Sequence, residues 1–196
     1  MDSNIVIPMI FYDVGDFRIQ GFENNDIKEI SKNNTLVITP SVQEETKNHL
    51  YFQLETIRKK CEKLERFAFE NIKKELESRF DEIMDKYAIK EKIPVKSEKL
   101  EEISRFYTQY IDVLERIVLE KISDKSISKK LRKLAQRESM LPEKGDMTLL
   151  AEVIELNSKS KEQCNQNFAI LTNDKDLTVF SKELKNAFNL DIFDLK

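Results

Sequence analysis

Residues 168–177 read Phe-Ala-Ile-Leu-Thr-Asn-Asp-Lys-Asp-Leu, a short apolar stretch running directly into two carboxylates, Asp174 and Asp176. A helical pattern follows over 178–188, and a second apolar stretch at 190–194. A β-α-β alternation of this kind builds a parallel sheet with right-handed crossovers. Open parallel sheets bind ligands at the carboxyl ends of their strands, which is where both acids would stand. Carboxylates held together repel and call for a cation. Hard divalent cations take oxygen ligands, so the pattern points to Mg²⁺ or Mn²⁺. The plain alternative is that both acids cap the following helix, since Asp is a favoured N-cap.

The rest of the chain divides into a sheet-forming frame and a helical block. Residues 5–12 are continuously apolar, as in a fully buried parallel strand. Proline does not fit mid-strand, so Pro8 moves the start of that strand to about Met9. A short helix is expected over 26–31 and a second strand over 35–39. From Ser41, a plausible N-cap, Leu50, Leu54, Ile57, Cys61, Leu64, Ala68, Ile72, Leu76, Phe80, Ile83 and Tyr87 recur at three- or four-residue spacing. That stripe predicts one long amphipathic helix or two in tandem. Its main destiny is core packing, and a partner groove or dimer face is the alternative. Residues 90–95 break the pattern. Ser97 can cap a helix carrying Ile103, Tyr107, Tyr110, Leu114 and Ile117, and Ser126 a shorter one through Arg137. A turn at 141–145 leads to a helix over 146–157 that buries Leu149, Leu150, Val153 and Ile154. The expectation is a single α/β domain over 1–196, interrupted by a helical insertion at 47–140.

Other acids fall in order along this frame. Asp13 follows the first apolar run. Glu44 and Glu45 lie early in the helix after the second strand, and Asp146 opens the late helix. With the Thr172–x–Asp174 turn, this order resembles the PIN-domain nucleases, over roughly 1–46 and 141–196. That family has an Asp after strand one, a Glu early in the helix after strand two, an Asp opening a late helix and a Thr–x–Asp turn after a later strand. The resemblance implies a three-layer α/β/α fold with a small parallel sheet. It implies a nuclease, a ribonuclease by preference, with Asp13, Glu45, Asp146 and Asp174 as catalytic metal ligands. Asp176 would assist, and Thr172 and Asn173 would support. Many members carry Asn or Ser two residues after the first Asp, where this chain has Gly15. Each acid also has a plain role. Asp146 can be an N-cap, and Glu44 and Glu45 can offset a helix dipole.

The net charge of −3 does not mark a nucleic-acid binder, so any basic surface must be local. The run Lys129-Lys130-Leu131-Arg132-Lys133-Leu134-Ala135-Gln136-Arg137 is the strongest candidate for phosphate contacts. A solvated helix face is its plain alternative. Arg58 and Lys59 are weaker, because Glu55 and Glu62 lie at helical spacing and can pair with them. Tyr107 and Tyr110 read as packing residues before base-stacking ones. One histidine, His49, and two distant cysteines, Cys61 and Cys164, argue against zinc and against a disulfide. No apolar run approaches ~18 residues, and 1–5 lacks a basic leader, so a cytoplasmic protein with no membrane span is expected. The expected partners are RNA, with DNA as the other nucleic acid, a protein inhibitor on the helical segment, and a second copy of the chain. Two other readings stay open. One is a catalytically inactive RNA-binding or assembly module of the same fold. The other is a Mg²⁺ phosphatase, which lacks the second acid of its nucleophile motif because Gly15 follows Asp13-Val14.

Overall fold

The computed structural model describes residues 1–11, 24–61, 66–122, 142–163 and 167–195. Its elements are helices α1 (Ser3–Phe11), α2 (Asn24–Asn33), α3 (Pro40–Cys61), α4 (Arg66–Tyr87), α5 (Ser97–Ile122) and α6 (Lys144–Gln163), then strand β1 (Ala169–Thr172). Two short helices follow, α7 (Lys175–Thr178) and α8 (Ser181–Phe188), and strand β2 (Asp191–Asp194). The chain is therefore mostly helical with a small parallel sheet. β1 and β2 pair in parallel, Ala169 opposite Asp191 through Thr172 opposite Asp194, as the β-α-β pattern predicted. No helix among the described residues is long and apolar enough to cross a membrane.

The first expected strand is a helix. An unbroken apolar run carries no period, so it fits a buried strand or a buried helix equally. Asp2 decides between them. Its side-chain Oδ1 accepts from the Ser3 N–H at 2.6 Å. Its carbonyl accepts from Ile5 and Val6 at 3.0 and 3.1 Å, closing the first turn. Ile5, Val6, Pro8, Ile10 and Phe11 are all buried, so the helix is covered on most sides. Pro8 lies inside it and supplies no N–H to the Asn4 carbonyl. The second expected strand shrinks to Ile38, which bridges Ala88 in parallel.

Two compact units divide the chain. The first holds Met1–Ile93, Ala169–Asp174 and Asp191–Lys196. Within it, extended backbone is linked in steps. Ile38 N–H donates to Tyr87 and Ile89 N–H to Ile38, at 2.8 and 2.9 Å. The Met1 nitrogen donates to Val37 at 2.7 Å, and the Asp2 N–H to Leu171 at 3.0 Å. The predicted stripe resolves into two tandem helices. α3 begins at Pro40, one residue before the expected cap Ser41, because Thr39 supplies the first carbonyl, to Gln43. Proline suits that first position, where no N–H is needed. Val42, Thr46, Leu50 and Leu54 form its buried face, and Leu76, Phe80 and Met84 that of α4. α3 packs against both α1 and α4.

The second unit holds Pro94–Phe168 and Lys175–Leu190. α5 starts at Ser97 itself, with the Lys96 carbonyl in the capping position. Tyr107 is fully buried, its ring 5.2 Å from that of Phe180, and Phe106 stacks edge-on at 5.3 Å from Phe188. Edge-to-face pairs at this spacing are favourable core contacts, so Tyr107 has the packing role expected of it. α6 buries Leu149, Leu150, Val153 and Ile154 as predicted and packs on α5. The helix expected at 178–188 is split at Val179 and Phe180. α8 ends at Asn189, whose left-handed φ of 53° lets its N–H reach Lys185.

Candidate functional site

Strand β1 delivers Thr172 to a fully buried position at its carboxyl end. A threonine hydroxyl has one proton to donate and two lone pairs to accept with. All three are used. Oγ1 donates to Asp2 Oδ2 at 2.5 Å. It accepts from Asn4 Nδ2 at 3.1 Å and from the Asp174 backbone N–H at 2.9 Å. Asp2, Asn4 and Asp174 are thus gathered around one hydroxyl, although 170 residues separate Asp2 from Thr172. Thr172 does hold a carboxylate by hydrogen bonding, and the acid it holds is Asp2.

The electrostatics follow from burial. Asp2 is only 2 % exposed. Its carboxyl is pushed above the usual carboxylate range, chiefly by desolvation and further by the charge of Asp174, against the bonds from Thr172 and Ser3. The folded state therefore holds the Asp2 proton more tightly than the unfolded chain does. Stability from this group is fully present below the ordinary value of 3.8 and is lost as pH rises through the higher folded value. Thermal melts in chelator from pH 3.8 upward should show that loss, and Asp2→Asn should flatten it. Parallel pH profiles for the two proteins would refute this assignment.

The other predicted residues are placed as follows. Glu45 stands exposed in the second turn of α3, in the first unit with Asp2 and Asp174. Asp146 lies in the first turn of α6, in the second unit, and its Oδ2 accepts from the Glu143 N–H at 3.1 Å. Glu143 is the N-cap, and Asp146, foreseen in that role, stands three residues further on and reaches back to the cap's N–H as in a capping box. Asn173 is exposed. Asp176 belongs to α7. Asp13 and the run with Lys129, Lys130, Arg132, Lys133 and Arg137 lie outside the described residues. Among the described residues no three His, Cys, Asp or Glu side chains form a metal-sized group.

Sequence reasoning missed Asp2 and Asn4. It searched for an acid after the first apolar run, whereas the structure uses the acid before it. The signal was present: Asp2-Ser3-Asn4 sets an acid two residues ahead of a polar amide, immediately before an apolar segment. The donor set of Asp2, Asp174 and the Asn4 amide oxygen is entirely oxygen, which suits Mg²⁺ or Mn²⁺ and not a thiophilic metal.

The fold and site together define a mostly helical α/β protein with a buried carboxylate–hydroxyl–amide cluster at a strand end. Comparison with known proteins finds no family model, no curated protein and no solved structure that matches this chain.

Proposed function

We propose that this chain is a metal-dependent nuclease with a PIN-like three-layer frame, hydrolysing phosphodiester bonds of RNA. The observation that carries the proposal is the set Asp2, Asn4, Thr172 and Asp174, joined through one buried hydroxyl beside the end of a parallel strand. Asp2 and Asn4 also meet the polar position two residues after the first acid that the family resemblance calls for and Gly15 leaves unfilled. Asp2 and Asp174 would hold Mg²⁺ or Mn²⁺, with Glu45 of the same unit as the further acid the resemblance nominates. Bound there, the ion would supply an activated water and neutralise charge on the leaving oxygen. Thr172 fixes the Asp2 carboxylate by donation and the Asp174 backbone by acceptance, so both acids are oriented without nucleophilic chemistry of their own. The basic run 129–137 would contact phosphates.

The test is a cleavage assay on labelled RNA and DNA with Mg²⁺, Mn²⁺ or chelator, paired with thermal melts. Cleavage should need the ion and vanish in Asp174→Asn. Mn²⁺ at about a hundred times its Kd should stabilise the wild type by about 2.7 kcal/mol and the variant by far less. An equal shift in both would put the metal elsewhere. The second reading, an inactive module of the same fold, is favoured by the lack of a three-acid group among the described residues. Metal-independent RNA binding with no cleavage would decide for it.

A further inference from the structure

Tyr51 and Phe52, adjacent on α3, are 53 % and 67 % exposed. The buried side of the helix is accounted for by Val42, Thr46, Leu50 and Leu54, so both rings stand outside the core. The charges around them are ordered. Glu44 and Arg58 lie seven residues either side of Tyr51, and Lys47 and Glu55 lie four residues either side. Spacings of three and four keep side chains on one face of a helix. These five residues therefore form one stripe, about 21 Å long. Glu44, Lys47, Tyr51 and Arg58 are exposed and Glu55 is half-buried. Along the stripe the order is acid, base, ring, acid, base. Charge is balanced, and each charge has its opposite at the same distance across the ring. Glu45 and Lys59 repeat the reversal seven residues either side of Phe52.

A stripe of this kind complements itself when turned end for end. A two-fold axis through Tyr51 sets Glu44 of one copy opposite Arg58 of the other and Lys47 opposite Glu55, and each contact then occurs twice. The rings of both copies meet at the centre. A parallel pairing would instead set Glu44 against Glu44 and Arg58 against Arg58. We propose that this face of α3 docks, antiparallel, on the same face of a second copy of the chain. Burial of Tyr51 and Phe52 drives the association, because central aromatic residues carry most of the energy of an interface. The charges fix direction and register, since pairs this exposed add little affinity. Lys47 Nζ lies 5.9 Å from the centre of the Tyr51 ring, so the base is already held beside the ring at the axis. One helix per copy makes a small contact, and a Kd on the order of micromolar is expected. None of the four paired charges belongs to the Asp2–Thr172–Asp174 cluster, so the dimer does not rest on the nuclease reading.

The experiment is sedimentation equilibrium of the full chain over a concentration series, with circular dichroism to confirm that each variant is folded. The wild type should pass from monomer to dimer. Tyr51→Ser with Phe52→Ser should raise Kd about tenfold or more. Glu44→Arg alone and Arg58→Glu alone each bring like charges together at both ends of the stripe, and each should raise Kd about tenfold. Mixed in equal amounts, these two single variants should form a heterodimer, because every altered charge then meets its opposite. Both substitutions in one chain should restore the homodimer for the same reason. A wild type that stays monomeric at every concentration overturns the proposal and leaves the face to a different partner. A dimer that survives Tyr51→Ser with Phe52→Ser lies on another surface and overturns it as well. So do folded single variants that neither lose the homodimer nor pair with each other when mixed.

Discussion

Thr172→Val is expected to cost about 3 kcal/mol of stability, lowering Tm by roughly 6–12 °C for a chain of this size. Valine has nearly the same shape as threonine, so it leaves no cavity, and the loss comes from three hydrogen bonds made by one atom. The 2.5 Å bond to Asp2 is charge-assisted whenever Asp2 is ionised, and such bonds are worth about twice a neutral one. Asn4 Nδ2 and the Asp174 N–H lose their shared acceptor at the same time. Each group left unsatisfied in the interior costs its desolvation on top of the lost bond. Thr172→Ser is the control. It keeps the hydroxyl and removes one methyl, a loss of about 1 kcal/mol. Differential scanning calorimetry of the two variants checks this. If valine proves milder than serine, Thr172 is ordinary packing and the cluster has no hub.

Asn157→Ala should cost about 2–4 kcal/mol, because it breaks two hydrogen bonds to one residue. Asn157 is 6 % exposed on α6. Its Nδ2 donates to the Phe168 carbonyl at 2.9 Å, and its Oδ1 accepts from the Phe168 N–H at 2.6 Å. One amide side chain thus imitates the reciprocal pair that a neighbouring strand residue makes in a hydrogen-bonded pair. It does so at the residue immediately before β1, where no strand partner begins until Ala169 meets Asp191. Asn157→Asp keeps the acceptor, loses the donor and buries a charge, so it should be at least as damaging. Urea unfolding gives the cost, and amide exchange at Phe168 should quicken in both variants. A change within about 0.5 kcal/mol, the level of an ordinary surface substitution, would remove Asn157 from the framework of the fold.

Both positions show how far local pattern reaches. Leu50, Leu54, Leu76 and Phe80 declare their helices through spacing alone, because a helix buries residues three and four apart whatever it packs on, whereas the stripe continues through Ile83 and the structure buries Met84. The interruption at 90–95, the helix over Leu149 to Ile154 and the parallel pair β1–β2 follow from equally local signals. So does the Thr172–x–Asp174 turn as the place to look for a site. Asn157, by contrast, is an unremarkable amide in its helix. Only the backbone of Phe168, brought back against it, gives it a role.

The same division applies to the site. The order of residues determined that a short strand ends at Thr172, two residues before Asp174. It also determined that α3 presents one apolar face. Tertiary structure decided which carboxylate joins Asp174. Asp2 reaches it through Thr172 across 170 residues, a contact with no periodic trace in the chain. It also decided that residues 3–11 coil, since an apolar run is compatible with either backbone and the Asp2 cap tips it toward helix. Periodicity encodes which side of an element is buried. What that side is buried against, and which distant polar groups must satisfy one another there, is settled only when the elements meet.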